Sequence, residues 1–153
     1  MSAAMSPFDP RAALLARHAQ HVVLIHFPIA LLLTGVAFDL AGQWTRRQAL
    51  ATAAYYNLLV AAVATVPTMI TGLLAWQLQL EGARLKGLLL QHLLLAAAST
   101  ALIWMSWWMH YQARRGAGRP LPAHRWPVEL LAAGLVALTA HLGGFLSGVN
   151  QLR

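Results

Sequence analysis

The sequence predicts an all-α membrane protein, an antiparallel bundle of four transmembrane helices preceded by a short interfacial helix. Of the 153 residues, 59% are hydrophobic and only 10% are charged, whereas a soluble domain carries roughly 25% charged residues. Four long apolar stretches alternate with short polar breaks. About 20 apolar residues cross the bilayer hydrocarbon as a helix, because every backbone amide there needs an internal partner. Residues 1–153 are therefore expected to form a single membrane domain.

The predicted spans run over residues 22–41, 51–78, 88–111 and 128–149. Their short connections favour an up-and-down antiparallel bundle. Asp9 and Pro10 have the pattern of a helix N-cap followed by proline at the first helical position, so residues 11–18 are expected to form the interfacial helix. The basic leader and the cleavage site of a signal peptide are missing around the first span, which is therefore expected to be retained.

Composition argues against several classes of function. The chain has no cysteine, which rules out disulfides, iron–sulfur clusters, thiolate zinc sites and covalently attached c-type haem. Its net charge of +7 comes from basic residues scattered over short loops, where they set membrane topology and form no nucleic-acid-binding stripe. Because no nucleophile–base pair or paired carboxylates are visible, a non-catalytic subunit is a better expectation than an enzyme.

Loop charges give a predicted orientation. In a four-span bundle, both termini and the loop between spans two and three share one side, which carries Arg11, Arg17, Arg84, Lys86 and Arg153. The opposite side carries Arg46, Arg47, Arg114, Arg115, Arg119 and Arg125. Because Lys and Arg concentrate on the cytoplasmic side, this small excess favours termini outside the cytoplasm.

Three histidines, His26, His92 and His141, lie inside apolar spans. At 1.5 Å of rise per residue, His26 lies about 6 Å into span one. His92 has a similar depth in span three, and His141 precedes the end of the antiparallel span four by about eight residues. The three imidazoles are therefore expected at one level of the membrane. Polar groups in lipid are costly and tend to be functional, so three imidazoles at one depth favour a shared metal or haem site.

Small residues accompany these histidines. Gly144 shares the His141 face of span four, and span two carries a stripe of polar and small residues that includes Gly72 and Trp76. Such faces pack helices closely or leave room for a flat macrocycle. A bound copper, zinc or iron ion would draw the imidazoles to within roughly 4 Å of one another. In a purely structural or assembly subunit, each imidazole would instead bond to a neighbouring helix.

Two further polar residues have structural expectations. Asp39, near the far end of span one, is expected to pair with Arg46 or Arg47 at the membrane interface. His110 lies beside Trp107 at the end of span three and is expected in the interfacial aromatic belt.

The segment from His21 to Leu32 contains His-Phe-Pro-Ile-Ala and resembles the opening of a bacterial family of predicted membrane proteins, domain of unknown function twenty-two thirty-one. The family's later elements occur here in order, over residues 20–148, as Thr71-Gly72, His92 and His141-Leu142-Gly143-Gly144. Gln20-His21 departs from the His-Pro expected there, so the role of His21 stays open. The resemblance implies a multi-pass protein of the bacterial inner membrane. Some relatives are fused to Rieske or cytochrome c domains, which implies redox partners of those kinds.

The leading hypothesis is a small b-type cytochrome-like electron-transfer subunit embedded in the lipid bilayer, as a homo-oligomer or part of a complex. Two of His26, His92 and His141 would ligate haem b, and the third would support them. The remaining candidate cofactor-binding residues would pack on the macrocycle, make room for it, or neutralise its propionates: Phe27, Gly72, Trp76, Gly144, Arg84 and Lys86. A transition-metal module using the same three histidines, or a subunit without a cofactor, are the alternatives.

Overall fold

A computed structural model describes residues 17–79, 81–116 and 120–148. Within those ranges there are no strands, and the helices are α1 (Arg17–Leu24), α2 (His26–Thr45), α3 (Gln48–Gln79), α4 (Gly87–Arg115) and α5 (Arg125–Leu146). Four segments are long and apolar enough to cross a membrane: Gln20–Thr45, Gln48–Leu78, Gly87–Arg115 and Arg125–Leu146. The all-α, four-span prediction is confirmed. The predicted interfacial helix lies mostly outside the described residues.

Consecutive membrane spans run antiparallel, and α1 and α2 both belong to the first span. At one end of the α2–α3 pair, a Cβ on Gly42 would lie 3.0 Å from the Ala51 nitrogen. In the α4–α5 pair, Ser99 reaches Thr139 at 3.3 Å. The bundle therefore has two ends: α2 and α4 begin at the first end, where α3 and α5 finish, and the order is reversed at the second end.

The core receives residues from all four spans. Its fully or nearly fully buried apolar members are Leu32, Val36, Leu58, Ala61, Ala62, Ile103, Ala132 and Val136. Large apolar side chains also cover the outside, as at Leu94 and Leu130, which are 60% and 58% exposed. An apolar exterior suits hydrocarbon as solvent, and small core residues let the helix backbones approach closely.

A proline in the first span leaves one backbone carbonyl without its helical hydrogen-bond donor, and a side chain of the second span donates to it instead. Pro28 has no N–H to donate to the carbonyl four residues earlier, that of Leu24. The Thr68 hydroxyl of α3 lies 3.3 Å from this carbonyl oxygen and 2.8 Å from the Ala64 carbonyl of its own helix. Because unsatisfied backbone groups are costly in lipid, this contact fixes α3 beside the junction of α1 and α2.

Candidate functional site

His26 lies at the start of α2 and is exposed on the outside of the bundle. Its Nδ1 atom donates to the Val22 carbonyl at 2.7 Å, one turn earlier. The imidazole is therefore bound to α1, within its own membrane span, and makes no described hydrogen bond to another span.

His92 and His141 have different surroundings. His92 is half-buried, and its Nδ1 atom donates to the Thr139 carbonyl of α5 at 3.1 Å. Its Cε1 atom would lie 3.2 Å from a Cβ on Gly143. His141 is exposed, and its ring lies perpendicular to that of Phe145 with centroids 5.1 Å apart. All three predicted imidazoles lie towards the first end of the bundle, but the structure does not gather their nitrogen atoms into one cluster within the described ranges. Their binding of haem or metal stays a prediction.

The other predicted cofactor-binding residues are also dispersed. Phe27 is 55% exposed, and Gly144 is half-buried on α5. The Trp76 indole donates to the Ala83 carbonyl at 2.9 Å and so holds the loop after α3. Arg84 and Lys86 lie exposed in that loop, at the same end as the three histidines.

His21, whose role the sequence leaves open, has a defined contact. Its ring packs on Gly72, where a Cβ would lie 3.0 Å from Cε1, and Nδ1 lies 3.2 Å from the Thr71 hydroxyl oxygen. The α1–α3 contact therefore resembles that of His92 with Gly143. In both, an imidazole packs against a glycine of the next span along the chain.

The second end of the bundle holds a group of buried ionisable residues. Asp39 of α2 and Arg125 of α5 are 2% and 4% exposed and form an ion pair, with Nε 2.8 Å from Oδ2. The predicted pairing of Asp39 with Arg46 or Arg47 is wrong, because both arginines are exposed beyond the end of α2. Arg125 also donates to the Gln43 side chain. A buried charge needs such compensation by a partner and by hydrogen bonds.

His110 and Glu129 form a second buried pair. The His110 Nε2 atom lies 2.9 Å from Glu129 Oε1, and the two side chains are 3% and 0% exposed. The predicted place of His110 in the interfacial belt is therefore wrong: its ring faces α5 inside the bundle. Glu129 keeps one oxygen, Oε2, buried and without a hydrogen-bond partner among the described residues.

Together these residues make a candidate metal centre. Asp39, His110 and Glu129 each offer a ligand atom, and the three atoms lie within 4.8 Å of one another. All three residues are buried and belong to three different helices. Two carboxylates and an imidazole form a donor set suited to zinc, iron or manganese. The free Glu129 Oε2 atom leaves one negative donor available within this group.

The sequence profile of one family matches residues 17–152, nearly the whole chain. Its description is "Predicted membrane protein (DUF2231)". The chain belongs to this family. No curated protein and no solved structure matches the chain significantly. For this DUF2231 member, the comparisons therefore establish a membrane protein family and assign no activity.

The sequence of this DUF2231 protein contains a pattern that could have predicted the buried group of Asp39, His110 and Glu129. Asp39 lies near the end of span one, His110 near the end of span three, and Glu129 near the start of the antiparallel span four. The depth comparison applied to the three histidines would have placed these residues at one level too. Asp39 has arginines close in sequence and His110 has tryptophans beside it, so each of these two had a local explanation and neither was compared in depth with Glu129.

Proposed function

We propose that this protein is a membrane-embedded module that binds a transition-metal ion through Asp39, His110 and Glu129. The observation that carries the proposal is the buried group of three ligand atoms within 4.8 Å, together with the unpartnered Glu129 Oε2 atom. Metal–ligand bonds of 2.0–2.2 Å place tetrahedral ligand atoms roughly 3.4 Å apart. A small contraction would therefore convert the present arrangement into a coordination shell.

The donor set favours a site with open positions. Structural zinc sites use four protein ligands, whereas sites with three leave a position for water or a substrate. Arg125 binds Asp39 and would orient this carboxylate from outside the coordination shell, as hydrogen-bonded partners of ligating carboxylates do. Such a site suits the holding or transfer of an ion better than a purely structural role.

Metal analysis of the purified protein tests the proposal. Cells expressing it would be grown with zinc, iron or manganese, and the metal bound per chain would be measured by mass spectrometry. We expect one equivalent in the wild type and a loss of most of it in Glu129→Gln, which keeps the shape of the side chain. The variant carrying His26→Ala, His92→Ala and His141→Ala is the control and should keep its metal.

The opposite result would overturn this assignment. Loss of metal in the triple histidine variant with retention in Glu129→Gln would move the site to the three histidines predicted from sequence. Absence of metal from the well-folded wild type under all three supplements would favour a structural or assembly subunit without a cofactor.

Haem-dependent electron transfer is the second proposal. Its support is that His26, His92 and His141, with Arg84 and Lys86, lie towards the same end of the bundle. A difference spectrum of protein expressed with haem supply, before and after dithionite, should then show sharp α and β bands. These bands would disappear in the triple histidine variant and persist in Glu129→Gln. A featureless spectrum would remove the proposal, and with it a Rieske or cytochrome c partner.

The third proposal concerns placement: the protein lies in the bacterial inner membrane with both termini on the periplasmic side. The cysteine-free chain allows a direct test with single cysteines. Arg84→Cys marks the first end of the bundle and Arg46→Cys the second. In intact cells, an impermeant maleimide should label Arg84→Cys and spare Arg46→Cys. The reverse labelling would invert the orientation.

A further inference from the structure

A cleft opens at the second end of the bundle and reaches the buried His110. It encloses about 490 Å³, within the range of small-molecule pockets. Its lining comes from the first turns of α3, the end of α4 and the segment before α5: Gln48, Ala51, Tyr55, His110, Ala113, Arg114 and Leu121. His110, which is 3% exposed, is the buried member of this lining.

The Arg114 guanidinium is positioned in this cleft by aromatic rings. Its central carbon lies 4.3 Å from the centre of the Tyr55 ring and 5.5 Å from that of Tyr56. A guanidinium placed over a ring keeps its N–H donors at its edge, where they match the oxygens of a phosphate or carboxylate. In the described part of the chain, no carboxylate pairs with Arg114.

Charge in the cleft favours an anion. The chain has only four acidic residues. Asp39 and Glu129 are buried and bound to Arg125 and His110, and Glu81 lies in the loop at the first end. The fourth, Asp9, lies outside the described residues. The first turn of α3 also lines the cleft, and a helix N-terminus attracts negative charge. The carbonyl end of α4 opposes this attraction, but its last turn carries Arg114 and Arg115, which offset the helix dipole.

We propose that this cleft binds a phosphate group, with the Arg114 guanidinium and the Gln48 amide as polar contacts and the Tyr55 ring as one wall. The cleft lies where α4 leaves the apolar span, so the headgroup of an anionic phospholipid and free phosphate share the required chemistry. The phosphate proposal does not depend on a bound metal, although His110 both lines the cleft and belongs to the candidate metal centre. A bound phosphate would lie next to the buried group of Asp39, His110 and Glu129.

Arg114 and Arg115 provide a matched pair for the test. Both end α4, and both lie over tyrosine rings, since Arg115 is 5.4 Å from the centre of the Tyr111 ring. Only Arg114 lines the cleft. Arg114→Gln and Arg115→Gln therefore remove the same charge from the same helix end. Gln48→Glu is a second variant, which places a carboxylate in the cleft without removing the arginine.

Two arms of the experiment separate the sources of phosphate. Delipidated protein in a non-ionic detergent would be titrated with inorganic phosphate and followed by calorimetry. The same protein would be titrated with phosphatidylglycerol, and its lipid adducts counted by native mass spectrometry. We expect Arg114→Gln and Gln48→Glu to weaken binding at least about tenfold, equivalent to about 1.4 kcal/mol, and Arg115→Gln to have little effect. Unchanged melting temperatures and metal content would show that the fold and the buried site are intact.

The outcomes distinguish a site from a generally basic surface. If only lipid binding depends on Arg114, the cleft is assigned to a lipid headgroup. If only phosphate binding depends on it, the cleft is assigned to a soluble anion. Equal weakening by Arg114→Gln and Arg115→Gln would overturn the proposal, because a diffuse basic surface would explain it. Absence of binding in both arms would overturn it as well. Neither result would decide the metal proposal, which is tested by the metal content of Glu129→Gln, a residue that does not line the cleft.

Discussion

The His92 imidazole of α4 rests on the backbone of Gly143 in α5, with Cε1 3.2 Å from the place where a Cβ would stand. The same ring donates to the Thr139 carbonyl one turn before this glycine. The glycine thus provides the space, and the carbonyl the hydrogen bond, that hold the last two spans together at the first end of the bundle.

We predict that Gly143→Ala leaves the protein about 1–3 kcal/mol less stable than Gly134→Ala does, because the added methyl group at residue 143 would crowd His92. Gly134→Ala on the same helix is the control, since nothing lies within 4 Å of its Cβ position and alanine is the better helix former by roughly 0.5–1 kcal/mol. Unfolding in SDS–detergent mixtures would measure both. His92→Ala should remove the added effect of Gly143→Ala; equal losses in both glycine variants would contradict the steric explanation.

Removing one partner of the Asp39–Arg125 pair should destabilise the protein strongly, whereas replacing both with apolar residues should change its stability little. Removal of one partner of a buried pair costs about 3–5 kcal/mol, whereas an apolar replacement of both is often nearly neutral. Arg125→Leu should be the worse single change, because Asp39 would lose its cation, while Asp39→Leu leaves Arg125 with Gln43 and the Pro122 carbonyl as acceptors. Thermal unfolding of the two single variants and the double variant measures the coupling. A double variant as unstable as the sum of both would refute the pairing.

The Thr68 hydroxyl should contribute more to stability when Pro28 is present than when it is replaced. Thr68→Val removes the hydroxyl donor to the Leu24 carbonyl and should destabilise the wild type by about 1 kcal/mol. Pro28→Ala restores a backbone N–H that can serve the same carbonyl, so Thr68→Val should cost less in that background. The same unfolding assay applied to all four proteins gives the coupling energy. An unchanged cost in the Pro28→Ala background would mean that the hydroxyl serves only its own helix, at Ala64.

The loop between α3 and α4 should loosen when Trp76 loses its N–H group. The indole donates to the Ala83 carbonyl, and the Gly82 amide donates to the Trp76 carbonyl. Trp76→Phe should therefore speed tryptic cleavage after Arg84 and Lys86 severalfold, because proteases require locally unfolded chain. Trp44→Phe is the control, since Trp44 is 90% exposed. Similar cleavage rates in the two variants would show that the hydrogen bond does not hold the loop.

The sequence was sufficient to predict the fold because a lipid bilayer allows a polypeptide few backbone conformations. Apolar stretches of this length must become helices, and the observed helix ends differ from the predicted ones by only a few residues, as at Gly87 and Arg115 of α4 and Leu146 of α5. Which helix faces meet was harder to predict. His26 and His92 are equally deep by sequence, yet one turns back to Val22 and the other faces α5. The depth of a residue in the membrane follows from counting residues along the span. The direction in which its side chain points depends on how the helices pack.

The distance along the chain between Asp39 and Arg125 has a consequence for biogenesis. The two residues are 86 positions apart, and ribosomes add roughly 5–20 residues per second, so Asp39 waits roughly 4–17 s for its partner. His110 likewise precedes Glu129. A nascent chain with only three spans would therefore hold an acid without its cation and an imidazole without its carboxylate. Arrival of the fourth span supplies Arg125 to Asp39 and Glu129 to His110, so both buried pairs can form only after the last span has been made.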